Sequence, residues 1–144
     1  MTKKNSQNAF NVEYAVMCES VSKEMTGKDI LIGVVPYGVA ARTFPMNLLC
    51  AFWCVVEAFK PIAGLHKLKL VMQEKNKPEK KLADWEFGFK IPDGAAGKNS
   101  FGTPPINLIL KEPMTAELMW SVDDSPLKHL RDCHFIKLPD NNEM

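Results

Sequence analysis

Apolar and polar residues alternate along much of this chain with a period of two. Between residues 84 and 91, Trp85, Phe87, Phe89 and Ile91 hold one parity, and Asp84, Glu86, Gly88 and Lys90 hold the other. A strand sends successive side chains to opposite faces, so this segment predicts a strand with one face in a core and the other in water. Residues 65–73 repeat the pattern, with Leu68, Leu70 and Met72 set against Lys67, Lys69 and Gln73. In residues 116–122, Ala116, Leu118, Trp120 and Val122 face inward while Glu117 and Ser121 face outward. Ile106, Leu108 and Leu110 mark a further strand. Residues 12–21, 30–35 and 130–138 mark three more, with Gly27 turning the chain between the first two.

Residues 46–59 lack this alternation. They are apolar almost throughout, and Pro45 and Pro61 bracket them. The β-branched and aromatic residues Phe52, Trp53, Val55, Val56 and Phe59 favour a central strand buried on both faces, with a buried helix as the alternative. Short runs punctuated by Gly, Pro, Asn and Asp are the pattern of an all-β protein. The prediction is a single antiparallel β-sandwich of about eight strands, Greek-key or C2-like, with little helix. It occupies residues 12–138, between tails at 1–11 and 139–144.

Length and composition narrow the reading. A chain of 144 residues is one domain, and about 68% of the surface of its unfolded chain is buried at this size, enough for a core without staples. Lys and Arg total 18 against 17 Asp and Glu, a formal net charge of +1. That balance argues against sequence-specific nucleic-acid binding, which favours a basic surface. The most apolar run, 46–56, is too short to span a bilayer as a helix, and residues 1–7 do not read as a signal peptide. These features predict a cytoplasmic protein that does not enter the membrane, with Cys18, Cys50, Cys54 and Cys133 as reduced, buried thiols.

The first half carries a series of phrases: Tyr14-Ala15-Val16-Met17-Cys18-Glu19-Ser20-Val21, then Gly27-Lys28, Ile30-Leu31-Ile32-Gly33-Val34, Phe44-Pro45 and Gly64-Leu65-His66-Lys67-Leu68. Their order resembles a family of small bacterial proteins catalogued only as a domain of unknown function. The resemblance covers residues 12–75 well and the rest loosely. It implies a small antiparallel β-sandwich and transfers no catalytic residue. Ala63 departs from the Pro expected before Gly64.

Each motif with chemical potential meets a geometric objection. Cys50 and Cys54 sit about 13 Å apart on a strand, too far to share a zinc ion. In Asp132-Cys133-His134, neighbours on a strand point to opposite faces, so thiol and imidazole cannot act as a pair. A centre recruiting His66 from elsewhere stays open, and His129, Cys133 and His134 lack the spacing of a zinc motif. Residues 94–99 fail the phosphate-loop pattern, because Pro92 and Asn99 occupy its Gly and hydroxyl positions. Trp53, Trp85 and Trp120 lie in apolar runs and read as core.

The loops then carry the functional expectation. Residues 74–81 form a charged loop with a lysine excess, residues 92–105 a small-residue loop, and residues 36–45 a third. The candidate contacts for a protein partner or small anionic ligand are Arg42, Phe44, Lys75, Lys77, Lys80, Lys81, Lys98 and Phe101, with Phe44 and Phe101 as exposed aromatics. The expected function is a non-enzymatic binding module without cofactor or metal. A self-assembling protein that forms homo-oligomers is the alternative, and a Cys/His-dependent enzyme a further one.

Overall fold

The computed structural model describes residues 9–35, 38–59, 64–91 and 97–139. Every regular element among them is a β-strand, so the all-β expectation holds. The strands number eleven, in three sheets, where the sequence pattern suggests about eight. Residues 92–96 of the small-residue loop, residues 36 and 37 of the loop before β4, residues 1–8 of the N-terminal tail and residues 140–144 lie outside the described residues.

The first sheet is built on β5 (Met46–Ala58), the segment of ambiguous pattern. It is a strand of 13 residues. β1 (Phe10–Cys18) pairs antiparallel along one stretch of it. β8 (Gly97–Gly102) pairs with its second half, and β9 (Ile106–Leu110) with its first. β1 begins at Phe10, inside the expected tail, and buries Phe10 and Val12. An irregularity between Val12 and Tyr14 leaves Glu13 as an extra residue. That bulge switches the parity of the strand, so Ala15 and Met17 are buried and Tyr14 faces out.

A ribbon of β2 (Ser20–Lys23) and β3 (Asp29–Ile32) lies across the outer side of this sheet. Asp29 accepts hydrogen bonds from Trp53 Nε1 at 2.8 Å and from the Ser100 hydroxyl. Val21 sits so close to Gly102 that a Cβ there would fall 2.5 Å from Val21 Cγ1, which requires glycine. The ribbon explains why β5 does not alternate: Cys50, Phe52, Cys54 and Val56 enter the core, while Ala51 and Val55 are buried on the opposite parity.

The second sheet has five strands in the order β4 (Gly38–Ala41), β11 (Lys128–Lys137), β10 (Met114–Val122), β6 (Gly64–Glu74) and β7 (Lys77–Ile91). Its pairings are antiparallel except β4 with β11, which is parallel and departs from the fully antiparallel expectation. Gly38 approaches the His134 backbone closely enough that any Cβ would clash with its carbonyl. β4 and β8 arise in segments whose small and polar residues read as loops, because open edges of β11 and β5 supply the pairing that propensity lacks.

Both large sheets contribute to one core. Leu68, Leu70, Met72, Trp85, Phe89, Leu118, Trp120 and Phe135 meet Phe10, Met17, Phe52 and Leu108 there. Two outward-parity residues on β10 depart from the expected pattern: Glu117 and Ser121 are buried, at 9% and 3% exposure. Gln73 on β6, expected outside, is buried too and donates from Nε2 to Glu117 Oε1 at 2.9 Å.

Candidate binding groove

The lysine-rich segment is a tight hairpin, with strand pairing resuming at Lys77. β6 and β7 are joined by Lys75 and Asn76, and Asn76 takes a positive φ of 63° that an asparagine tolerates. β7 then bulges: Gln73 pairs with Lys81 but Glu74 pairs with Lys77. Pro78 fits this irregular stretch of an edge strand because it has no N–H to leave unpaired.

Each predicted lysine reaches a carboxylate. Lys75 Nζ lies 2.7 Å from Asp132, Lys77 3.1 Å and Lys80 3.7 Å from Glu74, Lys81 2.7 Å from Asp84, and Lys98 2.8 Å from Glu13. The bond to Asp132 raises the pKa of Lys75, and the bond to Glu13 raises that of Lys98. Lys77 lowers the carboxyl of Glu74, and Lys81 that of Asp84.

The hairpin borders a groove of about 390 Å³. Lys80 and Lys81 enter it from β7, and Lys111 from the turn after β9. Lys111 forms no ion pair among the described residues. Leu82, Ile109 and Met114 supply an apolar lining, and Glu74 and Glu112 the acidic part. Ile109 is 61% exposed although it stands in a strand. Sequence reasoning missed Lys111, Leu82, Ile109 and Met114. The available signal was Ile109 itself, an apolar residue on the outward parity of β9.

The other predicted contacts sit elsewhere. Arg42 and Phe44 lie on the link between β4 and β5, and Lys98 and Phe101 on β8. Phe44 and Phe101 are not exposed aromatics: both are half-buried against the core. Phe101 stacks obliquely on Phe87 and Phe89 at centroid distances of 5.7 and 5.2 Å. β8 pairs its backbone with β5, and this turns Phe101 inward.

A second groove, of about 500 Å³, holds a histidine–carboxylate pair. His66 is buried against Phe10 and Phe89, with Nδ1 2.7 Å from Asp123 Oδ2. The other oxygen of Asp123 accepts the Lys67 amide at 3.0 Å. The lining among the described residues is Leu65, His66, Lys67, Glu86, Phe87, Gly88, Asp123 and Asp124, without a hydroxyl or thiol nucleophile.

The cysteines and tryptophans sort by environment. All four thiols are free and buried. Burial pushes Cys50 and Cys54 up to about 12 and raises Cys18 and Cys133. Cys133 faces the core while His134 is exposed and meets Thr115 Oγ1 at 3.2 Å, so the two adjacent side chains diverge. Trp85 and Trp120 are core residues, but Trp53 faces the ribbon and is only half-buried. No helix of the described residues is long and apolar enough to cross a membrane. No family model matches the chain, and no curated protein matches its sequence.

Proposed function

We propose that the chain is a non-enzymatic binding module that takes the anionic group of a partly apolar ligand, free or carried on a protein partner. The observation that carries this reading is the meeting of Lys80, Lys81 and Lys111 with Leu82, Ile109 and Met114 around one groove of about 390 Å³. Apolar side chains gain by shedding water onto a ligand, and adjacent ammonium groups fix the position of a carboxylate or phosphate. Lys75 and Lys77 support the site by holding the hairpin to Asp132 and Glu74. We read the scaffold as an open sandwich, since both large sheets feed one core. Four buried free thiols support a reducing, cytoplasmic setting. Their raised pKa values count against a cysteine nucleophile.

Titration calorimetry with octanoate and octyltrimethylammonium tests the sign and the apolar part together. Octanoate should bind saturably and the cation should not. The Lys80→Glu, Lys81→Glu, Lys111→Glu variant, with its near-ultraviolet dichroism intact, should lose octanoate binding. Equal binding of both probes, or octanoate binding unchanged in the variant, would overturn the reading.

Self-assembly is a second reading, favoured by the outer side of the ribbon. Ile30, Ile32 and Val34 are exposed along β3 and the residues after it, and Met25 at its tip is fully exposed. Sedimentation velocity should then show a concentration-dependent oligomer that Ile32→Lys dissolves. A monomer at all concentrations rejects it.

A further inference from the structure

Three metal-ligating side chains converge near the β6–β7 turn, outside the set that lines the binding groove. Glu117 on β10 and Asp132 on β11 stand directly opposite each other across the ladder. On a regular strand His129 would have the opposite parity to Asp132. The ladder instead runs from Leu118↔Arg131 to Met119↔His129, which leaves Leu130 as an extra residue. This bulge re-aims His129, and its Nε2 lies 2.8 Å from Asp132 Oδ1. One donor atom from each of Glu117, His129 and Asp132 lies within 4.8 Å of the other two.

The charges around them favour a cation. Like charges directly opposite on a ladder repel, and Glu117 and Asp132 form such a pair. Lys75 supplies an ammonium from the turn, with Nζ 2.7 Å from Asp132 Oδ2. Glu117 is only 9% exposed. Its Oε1 accepts Gln73 Nε2 at 2.9 Å and the Asn76 amide at 3.4 Å, while Oε2 has no hydrogen-bond partner among the described residues. A carboxylate held from behind, with one oxygen uncommitted, is a preoriented ligand.

We infer that Glu117, His129 and Asp132 form a site for one divalent transition-metal ion, with Lys75 as the ammonium that the ion displaces. One imidazole nitrogen and two carboxylate oxygens suit Zn²⁺ and its neighbours better than Mg²⁺ or Ca²⁺, which favour all-oxygen sets. Around a tetrahedral ion with bonds of about 2.1 Å, ligand atoms sit about 3.4 Å apart. Forming that geometry therefore closes the widest separation, at most 4.8 Å, by up to about 1.4 Å and opens the 2.8 Å His129–Asp132 contact by about 0.6 Å, within rotamer reach of the exposed His129 side chain. Three protein ligands leave a fourth position for water. The ion would clamp the bulge of β11 to β10 beside the hairpin.

Titration calorimetry of the full chain with Zn²⁺ tests the inference, with dichroism confirming that each variant is folded. The wild type should bind one equivalent saturably, and excess Mg²⁺ should not displace it. His129→Ala should weaken binding at least tenfold, and Lys75→Met should strengthen it at least threefold. His134→Ala, which alters an exposed histidine on the same strand, should leave it unchanged. His129→Gln replaces His129→Ala should the alanine variant not fold. No saturable equivalent at millimolar Zn²⁺ would overturn the site. So would binding that survives loss of His129, or that depends on His134.

Discussion

Phe52 on β5 meets Trp85 on β7 edge-on, with ring centroids 5.2 Å apart and planes at 85°. This contact joins the two large sheets across the core. Phe52 is fully buried, and Trp85 is 5% exposed with its indole N–H donating to the Pro104 carbonyl at 3.2 Å. Phe52→Ala removes the ring and leaves a cavity, and should cost about 3–5 kcal/mol. Phe52→Leu keeps most of the volume and should cost less. Urea unfolding followed by tryptophan fluorescence gives both values, and an alanine variant as stable as the wild type would contradict the packing described.

Asp123 holds the end of β10 to β6. Its side chain meets His66 Nδ1 and the Lys67 amide, and its own amide donates to the Lys67 carbonyl at 2.9 Å. Its φ of 53° lies in the left-handed region, where Asp and Asn are tolerated and β-branched residues are not. Asp123→Val should therefore cost more than Asp123→Asn. The valine combines backbone strain with buried polar groups deprived of an acceptor, together at least about 1–3 kcal/mol. Denaturation midpoints of the two variants should differ in that order, and equal midpoints would dismiss the role of this turn.

The strands most legible in the sequence are those whose apolar and polar residues alternate. Trp85, Phe87 and Phe89 alternate with Asp84, Glu86 and Gly88, and β7 places Trp85 and Phe89 in the core as that pattern demands. Bulges defeat the same rule. Glu13 shifts the inward set of β1 from Val12 to Ala15, and Leu130 shifts His129, and neither leaves a mark in the local pattern. β8 and β4 form because β5 and β11 offer open edges, a tertiary cause that composition does not carry. Lysine clustering was readable, but the carboxylates that pair with it come from as far away as Glu13 and Asp132. Lys111 belongs to the groove only because β9 runs beside the first half of β5.

The four thiols should be silent in the folded protein. Burial disfavours the thiolate, which is the reactive form, and Cys50 and Cys54 are pushed up to about 12. Ellman's reagent at neutral pH should titrate none of them in native buffer over minutes and all four in denaturant. Rapid labelling of Cys133 in the native state would reopen a thiol-based mechanism.

Acid should destabilise the fold through a small set of carboxylates. Asp29 is held low by its bonds from Ser100 and Trp53, Asp132 by Lys75 and then His129, Glu74 by Lys77 and Asp84 by Lys81. A lowered folded-state pKa contributes stability that is fully present above the unfolded values, about 3.9 for Asp and 4.3 for Glu. That contribution is lost as pH falls through the lower folded values. The urea midpoint should therefore drop steeply below about pH 4 as these groups take up protons. Asp29→Asn removes one titrating group at the junction of the ribbon with Trp53 and Ser100. Its midpoint should be lower at neutral pH and should fall less between pH 5 and pH 2. A variant that keeps the full wild-type acid slope would show that Asp29 contributes nothing to the pH dependence.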